Sequence, residues 1–330
     1  MIQLHVEPNT SAMSWEKFRA TKPVFSIALD GYVYGGPKFQ KRVVLPVSGP
    51  VREGEAPLPP MVIGPYANFN HHEEVDRLAT RATCAQILMA IRQGFFDTFR
   101  NGYKDTIHVY VNDCDQDVCM AVFLLRHGAI SGTVVNPILN RLVFMEDMLD
   151  TTAGAYPFPM DMEILQELAW TFKPYTDIRL SGGLSRRNAN EFESVIELVE
   201  KRIEKTINGR GEREELQTDY DVIGGGSGWT MVEEKGAQAR TAMFGKGIRA
   251  FVSVRERANG NYDYSIGRMS TFVPFDIPGI LAVLNEAEGC GEDCWGGADT
   301  IGGSPRIAGS RLTPKEVENI INFYLTQTRH

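Results

Sequence analysis

The sequence lacks any apolar run that approaches the roughly 20 residues needed to cross a bilayer as a helix. This absence holds although 43% of its 330 residues are hydrophobic. The N-terminal stretch MIQLHVEPNTSAMSW also has neither the basic block nor the apolar block of a signal peptide. We therefore expect a protein with no membrane partner, whose apolar residues form an internal core.

Cysteine and histidine are both scarce. The five cysteines are an odd number scattered along the chain, which argues against a disulfide scaffold and predicts a cytoplasmic location. Cys290 and Cys294 do not match a familiar zinc-site spacing. Of the six histidines, two are adjacent, at His71 and His72. This pair is the first candidate for chemistry.

An excess of basic charge is also missing, because 34 Lys and Arg residues stand against 42 Asp and Glu residues, for a net charge of −8. A protein that follows a long nucleic acid needs a basic track, so this balance disfavours one. A local basic site remains open. A small-molecule ligand fits this balance best, with a short nucleic acid as an alternative, and a homodimer is left open.

The order of strand-like and helix-like segments predicts an α/β fold with parallel strands in the N-terminal part. The expected strands cover 22–30, 61–70 and 105–112, the expected helices 75–99 and 118–127, and a loop 48–60. Residues 139–150 fit either a strand or a helix start. Functional residues of such sheets gather at the carboxyl ends of the strands.

The chain length is about that of two domains. The polar stretch 209–219 predicts a boundary, with a first domain at 1–208 and a smaller α/β domain at 209–330. In the second domain, Asn259-Gly260 predicts a hairpin, and Thr313-Pro314 with Glu316 predicts a capped helix start. The run Gly224–Gly228 lacks the GK[ST] of a phosphate loop and is interpreted as a connector.

Asn70-His71-His72-Glu73-Glu74 has two interpretations. Two imidazoles after a buried strand are suitable metal ligands, with nearby carboxylates to orient them. Alternatively, Asn70 caps a helix whose first turn carries the acidic residues. The second interpretation is favoured for this cluster alone, because adjacent residues of a strand point to opposite faces.

Asp113, Asp115 and Asp117 follow the next strand at alternate positions. Their carboxylates are hard ligands for Mg²⁺ or Mn²⁺, and so much negative charge after an apolar strand favours a neutralising cation. A solvated loop with helix-capping aspartates is the alternative. A third cluster, Glu146-Asp147 with Asp150, completes a two-metal site or simply ends a helix.

A Gly-rich loop in the second domain is the remaining candidate. The N–H groups of Gly302 and Gly303 are suited to hold an anion, beside Ser304, and Arg306 to make a bidentate phosphate contact. A flexible connector is the alternative, and the density of glycines beside Trp295 favours a binding loop.

Taken together, these motifs resemble the DHH superfamily of phosphoesterases. Asn70-His71-His72 followed by RLATRATCAQIL resembles the DHH motif and its helix, and Asp115-Gln116-Asp117 followed by VCMAVFLL resembles the DxD metal motif. Asp150-Thr151 resembles the later Asp-Thr element. The segment 251–303, ending in the Gly-rich loop, resembles the substrate-binding domain, and the likeness covers about two thirds of the chain.

The resemblance implies a parallel-sheet DHH-like domain and a smaller, DHHA1-like substrate-binding domain. It implies hydrolysis of a phosphoester or phosphoanhydride bond in a small or short nucleotide-type substrate by water activated at Mn²⁺ or Mg²⁺. The implied metal ligands are Asp30, His71, His72, Asp113, Asp115, Asp117 and Asp150. The implied catalytic residues are His71, His72, Asp115 and Asp117. The implied substrate contacts are Arg268, Gly302, Gly303, Ser304 and Arg306.

Two departures from the family pattern leave an alternative open. Asn70 replaces the first Asp of the DHH motif, and no histidine precedes the Asp pair, where Val111 and Asn112 stand. The alternative is a catalytically inactive protein of the same fold that binds a nucleotide or phosphate.

Overall fold

The computed structural model describes residues 1–36, 39–40, 43–45, 61–63, 65–72, 75, 79–99, 106–128, 132, 135–289, 291 and 293–328.

The chain divides into two compact units: Met1–Thr151 with Glu167–Arg213 is unit 1, and Thr152–Gln166 with Glu214–His330 is unit 2. The sequence pattern places a boundary after residue 208, and the observed division follows Arg213. Thr152–Gln166 groups with unit 2, where Ala155 packs against Phe244 and Phe251. The loop predicted at 48–60 lies outside the described residues, as do Glu73, Glu74 and Cys290.

Unit 1 combines a central sheet with surrounding helices. Its strands are β1 (Ile2–Val6), β2 (Met13–Ser14), β3 (Ser26–Leu29), β4 (Val33–Tyr34), β5 (Phe39–Gln40), β6 (Val43–Leu45), β7 (Met61–Ile63), β8 (Tyr66–Phe69) and β9 (Ile107–Val111). Its helices are α1 (Trp15–Thr21), α2 (Thr83–Arg92), α3 (Phe95–Phe99), α4 (Gln116–Arg126), α5 (Pro137–Thr151), α6 (Glu163–Thr171, within which the division falls), α7 (Lys173–Leu180) and α8 (Ala189–Ile207).

The central sheet has the strand order β1-β9-β3-β8-β5. The first four of these strands are parallel, and β5 pairs with β8 in the antiparallel direction. Every residue of β3 and β8 is buried, as expected for parallel strands covered on both faces. The prediction of an α/β protein with a parallel sheet is confirmed. Because β9, β3 and β8 are neighbours, their carboxyl ends lie side by side.

Several predicted segments of unit 1 differ from the observed ones. The strand predicted at 61–70 is divided into β7, which pairs with β6, and β8, which belongs to the central sheet; Pro65 lies between them and has no N–H to donate to a ladder. The helix predicted at 75–99 begins only at Thr83 and is divided at Gly94, whose φ is +88°, into α2 and α3. The ambiguous segment 139–150 is helical, within α5.

Unit 2 contains a second sheet, of order β10-β11-β12-β13-β15-β14. Its elements are β10 (Tyr220–Gly226), β11 (Trp229–Glu234), α9 (Ala239–Gly245), β12 (Ala250–Glu256), β13 (Tyr262–Arg268), α10 (Ile277–Glu288), β14 (Gly296–Gly297), β15 (Ile301–Gly303) and α11 (Pro314–Gln327). Within the described parts of both units, no helix combines the length and the apolar composition that crossing a membrane requires.

The core of unit 2 lies between this sheet and the helices α10 and α11, with Val252, Ile266, Ile280 and Ile321 fully buried. Two local predictions are confirmed: β12 and β13 form the antiparallel hairpin, and Thr313 caps α11 in a capping box. The interpretation of the glycine run at 224–228 as a connector is wrong. Its first glycines belong to β10 and pair with β11. A Cβ on Gly225 would lie 2.7 Å from the backbone oxygen of Trp229, and its φ is +139°, so glycine is needed there for the backbone approach.

Candidate metal centre

Three neighbouring strands of unit 1 end in the residues that the sequence singles out. Asp30 directly follows β3, His71 and His72 follow β8 by two and three residues, and the aspartate cluster follows β9. Because the histidines lie beyond the last residue of β8, the alternation of side chains along a strand does not apply to them. Both imidazoles therefore face Asp30, with their ring centroids 4.5 Å apart.

Asp30 is held in an unusual backbone conformation, with φ at +47°. A non-glycine residue in this region is energetically costly, and such residues are concentrated at functional sites. Its Oδ1 atom is 2.8 Å from His72 Nε2, 3.3 Å from His71 Nε2 and 3.2 Å from Thr83 Oγ1. One buried carboxylate oxygen thus contacts both imidazoles and the start of α2.

His71 occupies the centre of the cluster and has no exposed surface. Its Nε2 atom lies 2.8 Å from Asp150 Oδ2 and 3.7 Å from Asp117 Oδ2. Despite these short distances, neither ring nitrogen has a well-directed hydrogen bond within the described part of the chain. Close approach without hydrogen-bond direction is the geometry of side chains that converge on a shared ion.

Two groups of candidate ligands result, each with its ligand atoms within 4.8 Å of one another. One group is Asp30, His71 and His72, and the other is His71, Asp117 and Asp150. Five of the seven predicted ligands therefore converge. Asp113 and Asp115 belong to neither group.

Asp113 and Asp115 have local roles instead. The Oδ1 atom of Asp115 accepts the Val118 N–H at 2.9 Å and caps α4, and Asp113 Oδ1 accepts the Cys114 N–H at 2.7 Å. Asp115 still belongs to the same electrostatic environment, because burial and then the charges of Asp30 and Asp113 raise its pKa well above the usual range. The aspartate cluster thus combines both interpretations: Asp115 caps a helix, and Asp117 faces His71.

Asp117 is fixed by the first turn of α2. Its two oxygens accept the N–H groups of Thr83, at 2.8 Å, and of Cys84, at 2.7 Å. The residue before this helix, Ala82, has no side chain that could cap it. A carboxylate from α4 therefore supplies the missing acceptors, and this orients Asp117 toward His71.

The electrostatics of the cluster indicate a need for positive charge. Burial alone would favour a neutral His71, but Asp150 and Asp30 outweigh it and raise the pKa of His71 to about 10. Burial also tends to raise the pKa of Asp30, yet the two histidines hold it well below its usual range. Burial, with the charges of Asp150 and Asp30, raises the pKa of Asp117 to about 7. Three carboxylates thus surround one imidazole, a charge imbalance that a metal cation at this position would relieve.

The sequence pattern does not identify two supporting residues, Arg81 and Thr83. Thr83 contacts both Asp30 and Asp117. Arg81 donates from Nη1 to Asp147 Oδ2 at 2.6 Å, while the Ala82 N–H donates to Asp147 Oδ1 at 2.7 Å. Asp147 thus anchors the chain just before α2 and does not act as a ligand. Its neighbour Glu146 is also buried, and burial together with Asp150 and Asp117 raises the pKa of Glu146 well above the usual range.

Asn70 does not have the helix-capping role considered for it. Its Nδ2 donates to the Val33 carbonyl at 3.3 Å, and its Oδ1 accepts the His72 N–H at 2.9 Å. α2 begins only at Thr83, so Asn70 does not cap that helix. Its side chain instead fixes the backbone that presents His72.

The predicted substrate contacts in unit 2 differ in exposure and in their contacts within the unit. Gly302 and Gly303 lie in β15, which pairs with β13 on one side and β14 on the other, so they form part of a sheet and not an open cradle. Ser304 is buried, and its Oγ accepts the Tyr264 N–H at 2.9 Å. Arg268 donates to the carbonyls of Asp299 and Val273, at 2.7 and 3.1 Å. Arg306 is exposed.

No family model matches the chain, and a search of the curated proteins finds no match for it. The likeness to the DHH superfamily therefore depends on the motifs themselves.

Removing the anchor Asp147 should weaken metal binding without touching a ligand. We expect Asp147→Asn to lower Mn²⁺ affinity about 10- to 100-fold, because residues that orient ligands typically contribute that much. The side chain of Asp147 is 3% exposed. The matched control is Asp177→Asn, which breaks an exposed Lys173–Asp177 pair of 2.8 Å in the same unit. Calorimetric titration with Mn²⁺ measures both variants, and equal affinities would contradict the anchoring role.

Proposed function

We propose that the protein is a divalent-metal-dependent hydrolase of phosphoester or phosphoanhydride bonds, with its metal centre in unit 1. The observation that carries the proposal is the position of His71 Nε2, which lies 2.8, 3.3 and 3.7 Å from carboxylate oxygens of Asp150, Asp30 and Asp117. Ligand atoms of one ion with bonds of roughly 2.0–2.2 Å lie within about 4.4 Å of one another. These separations fit that limit.

The donor set suits a transition metal. Carboxylate oxygens favour Mg²⁺ and Mn²⁺, whereas imidazole nitrogens favour transition metals. His71, Asp117 and Asp150 would hold one ion, and Asp30, His71 and His72 form the alternative ligand group, in which the His72 side chain is 37% exposed. A bound divalent ion would lower the pKa of a coordinated water and polarise a phosphoryl oxygen. We therefore favour Mn²⁺ over Mg²⁺.

In this proposal unit 1 corresponds to the DHH-like domain and unit 2 to the DHHA1-like domain. The strand ends support the first correspondence, because Asp30, the NHH segment and the DxD segment follow three adjacent parallel strands. The net charge of −8 favours a small or short nucleotide-type substrate over a long polymer.

The test is an activity assay of the full chain after EDTA treatment and reloading with Mn²⁺, Mg²⁺ or buffer alone. The substrates are bis-(p-nitrophenyl) phosphate, pyrophosphate, cyclic dinucleotides and short oligonucleotides. We expect Mn²⁺-dependent turnover of at least one, and its loss in Asp150→Asn. Asp97→Asn, which changes an exposed carboxylate on α3, is the matched control. A protein that binds no metal and hydrolyses none of these substrates would refute the proposal.

The second candidate is a catalytically inactive nucleotide- or phosphate-binding protein. The neutral side chain of Asn70, bonded to the backbone at Val33 and His72, is the observation that favours it. Calorimetry in EDTA separates the two candidates. Nucleotide binding that persists without metal, in a protein that shows no turnover with Mn²⁺, supports the second.

A further inference from the structure

We propose that Arg187 of unit 1 binds a second phosphate of the substrate, beyond the bond that is cleaved, and that the substrate is a short oligonucleotide with a terminal phosphate. This inference rests on the proposed function, because it assigns a substrate class to the same metal centre. Within the described part of the chain, the exposed Arg187 guanidinium has no hydrogen bond and no ion pair. A guanidinium group is the side chain best suited to bind phosphate through two parallel hydrogen bonds.

The loop that follows β1 holds Arg187 at the edge of the sheet that carries the metal centre. Asn9 Nδ2, in this loop, donates to the Arg187 carbonyl at 3.3 Å. The same loop is attached to the end of β9, because the Glu7 N–H donates to the Val111 carbonyl at 2.9 Å. The carboxyl ends of β1, β9 and β3 are neighbours. Arg187 therefore lies on the β1 side of the edge at which Asp30 follows β3.

The backbone fixes the position of Arg187 on both sides. A single 3₁₀ turn, Gly183–Arg186, precedes it. Asn188 follows it and caps α8, because its Oδ1 accepts the N–H groups of Asn190 and Glu191 at 3.0 and 3.2 Å. Arg187 itself has a φ of +47°, a conformation that is costly for a residue with a side chain and that is concentrated at functional sites.

The neighbouring Arg186 shows the contrast between an engaged and an available arginine. Arg186 donates to Glu191 Oε2 from Nη2 at 2.9 Å and from Nε at 3.1 Å. The charge of Arg187 acts instead on the aspartate cluster: burial and the charge of Asp113 raise the pKa of Cys114, and Arg187 opposes that rise. A cation beside this cluster, with no carboxylate bound to it in the described residues, is available to an anionic ligand.

The strand order sets the distance that the substrate must span. β9 lies between β1 and β3, so the ends of β1 and β3 are roughly 10 Å apart, at about 4.8 Å for each strand spacing. The two phosphorus atoms of a phosphoanhydride share one oxygen and are too close together to cover this distance. Two phosphates that are separated by a nucleoside are far enough apart. The span therefore favours a phosphodiester with a terminal phosphate over pyrophosphate.

The experiment compares two dinucleotides, one with a 5′-phosphate and one without, as substrates of the Mn²⁺-loaded full chain. We expect the unchanged protein to have a KM about tenfold lower for the phosphorylated dinucleotide, because a hydrogen-bonded charge pair typically contributes that much. Arg187→Gln should remove this preference by raising that KM, with kcat and the KM for the other dinucleotide unchanged. Calorimetric titration with both dinucleotides in EDTA measures the same preference without turnover.

The controls separate this inference from the proposed function. Arg186→Gln removes an adjacent exposed arginine and should keep the preference. Arg187→Asn repeats the test with a residue that tolerates positive φ, in case Arg187→Gln does not fold. Absence of turnover, with a preference in EDTA that the Arg187 variants lose, refutes the hydrolase but supports the Arg187 site. Turnover without a preference, or the same loss in Arg186→Gln, overturns the Arg187 inference alone.

Discussion

His71→Asn should lower Mn²⁺ affinity about 100-fold or more and remove metal-dependent turnover, because it deletes a ligand common to both candidate groups and ligand loss exceeds the 10- to 100-fold typical of supporting residues. The same change should also destabilise the metal-free protein. His71 pairs with two buried carboxylates, Asp30 and Asp117, and with the partly exposed Asp150. Removing one partner of a buried ion pair costs roughly 3–5 kcal/mol. Titration calorimetry with Mn²⁺ and thermal unfolding in EDTA measure the two effects separately.

Asp150→Asn distinguishes a metal site from a structural ion pair. It should lose Mn²⁺ binding as His71→Asn does, but the metal-free protein should lose less stability than in His71→Asn, because the lost contact with His71 is partly offset by relief of the repulsion with Asp117 and Glu146. His127→Asn is the control for the histidine change, since His127 lies at the end of α4 beside Glu204, 3.5 Å away. Unchanged Mn²⁺ affinity in both site variants would contradict a metal centre at His71.

The parallel sheet and the candidate site at its edge could be predicted because both depend on local patterns. Buried runs such as SIAL and YANF indicate strands by their composition. Polar residues directly after such a run lie at the end of the strand, and this location does not depend on how the helices pack. For that reason the sequence pattern predicts Asp30, His71 and Asp117 as one site, although they are far apart in the chain.

The start of α2 could not be predicted from the sequence, because the residues that cap this helix are distant in the chain. The apolar periodicity extends back to Val75, but the first N–H groups of the helix are capped by Asp117 and Asp147, which come from other helices. Capping by distant carboxylates leaves no local signal. The different roles of Asp115 and Asp117 have the same origin, because only the position of α2 decides which carboxylate turns toward His71.

The glycine-rich segment shows the opposite difficulty. Its composition predicts an open binding loop, yet Gly302 and Gly303 are paired on both sides in the sheet. A Cβ on Gly303 would lie 2.9 Å from the backbone oxygen of Tyr264, so the close approach to β13 requires glycine there. Composition alone does not separate glycines that expose the backbone from glycines that allow close contact.

Glu288→Ala should destabilise unit 2 by roughly 3 kcal/mol, because it leaves two buried donors, Trp295 Nε1 and Ser310 Oγ, without an acceptor, each costing about 1–3 kcal/mol. The Glu288 carboxylate accepts from Trp295 Nε1 and Ser310 Oγ, both at 2.7 Å, and from the Arg311 N–H at 2.5 Å. Glu288 ends α10 and is 7% exposed. One carboxylate therefore ties together the beginning and the end of the glycine-rich segment.

The variants of this position separate charge from shape. Glu288→Gln keeps one carbonyl acceptor but places an NH₂ group opposite the remaining donors. Its free energy of unfolding should therefore lie between that of the unchanged protein and that of Glu288→Ala. Glu286→Ala, an exposed change on the same helix, should alter stability by less than about 0.5 kcal/mol. Thermal unfolding gives the order of the three variants, and hydrogen exchange of residues 295–311 should be fastest in Glu288→Ala. If Glu288→Ala unfolds at the same temperature as Glu286→Ala, the carboxylate does not hold the segment, and the Asn285 side chain, which bonds both backbone groups of Trp295, is sufficient.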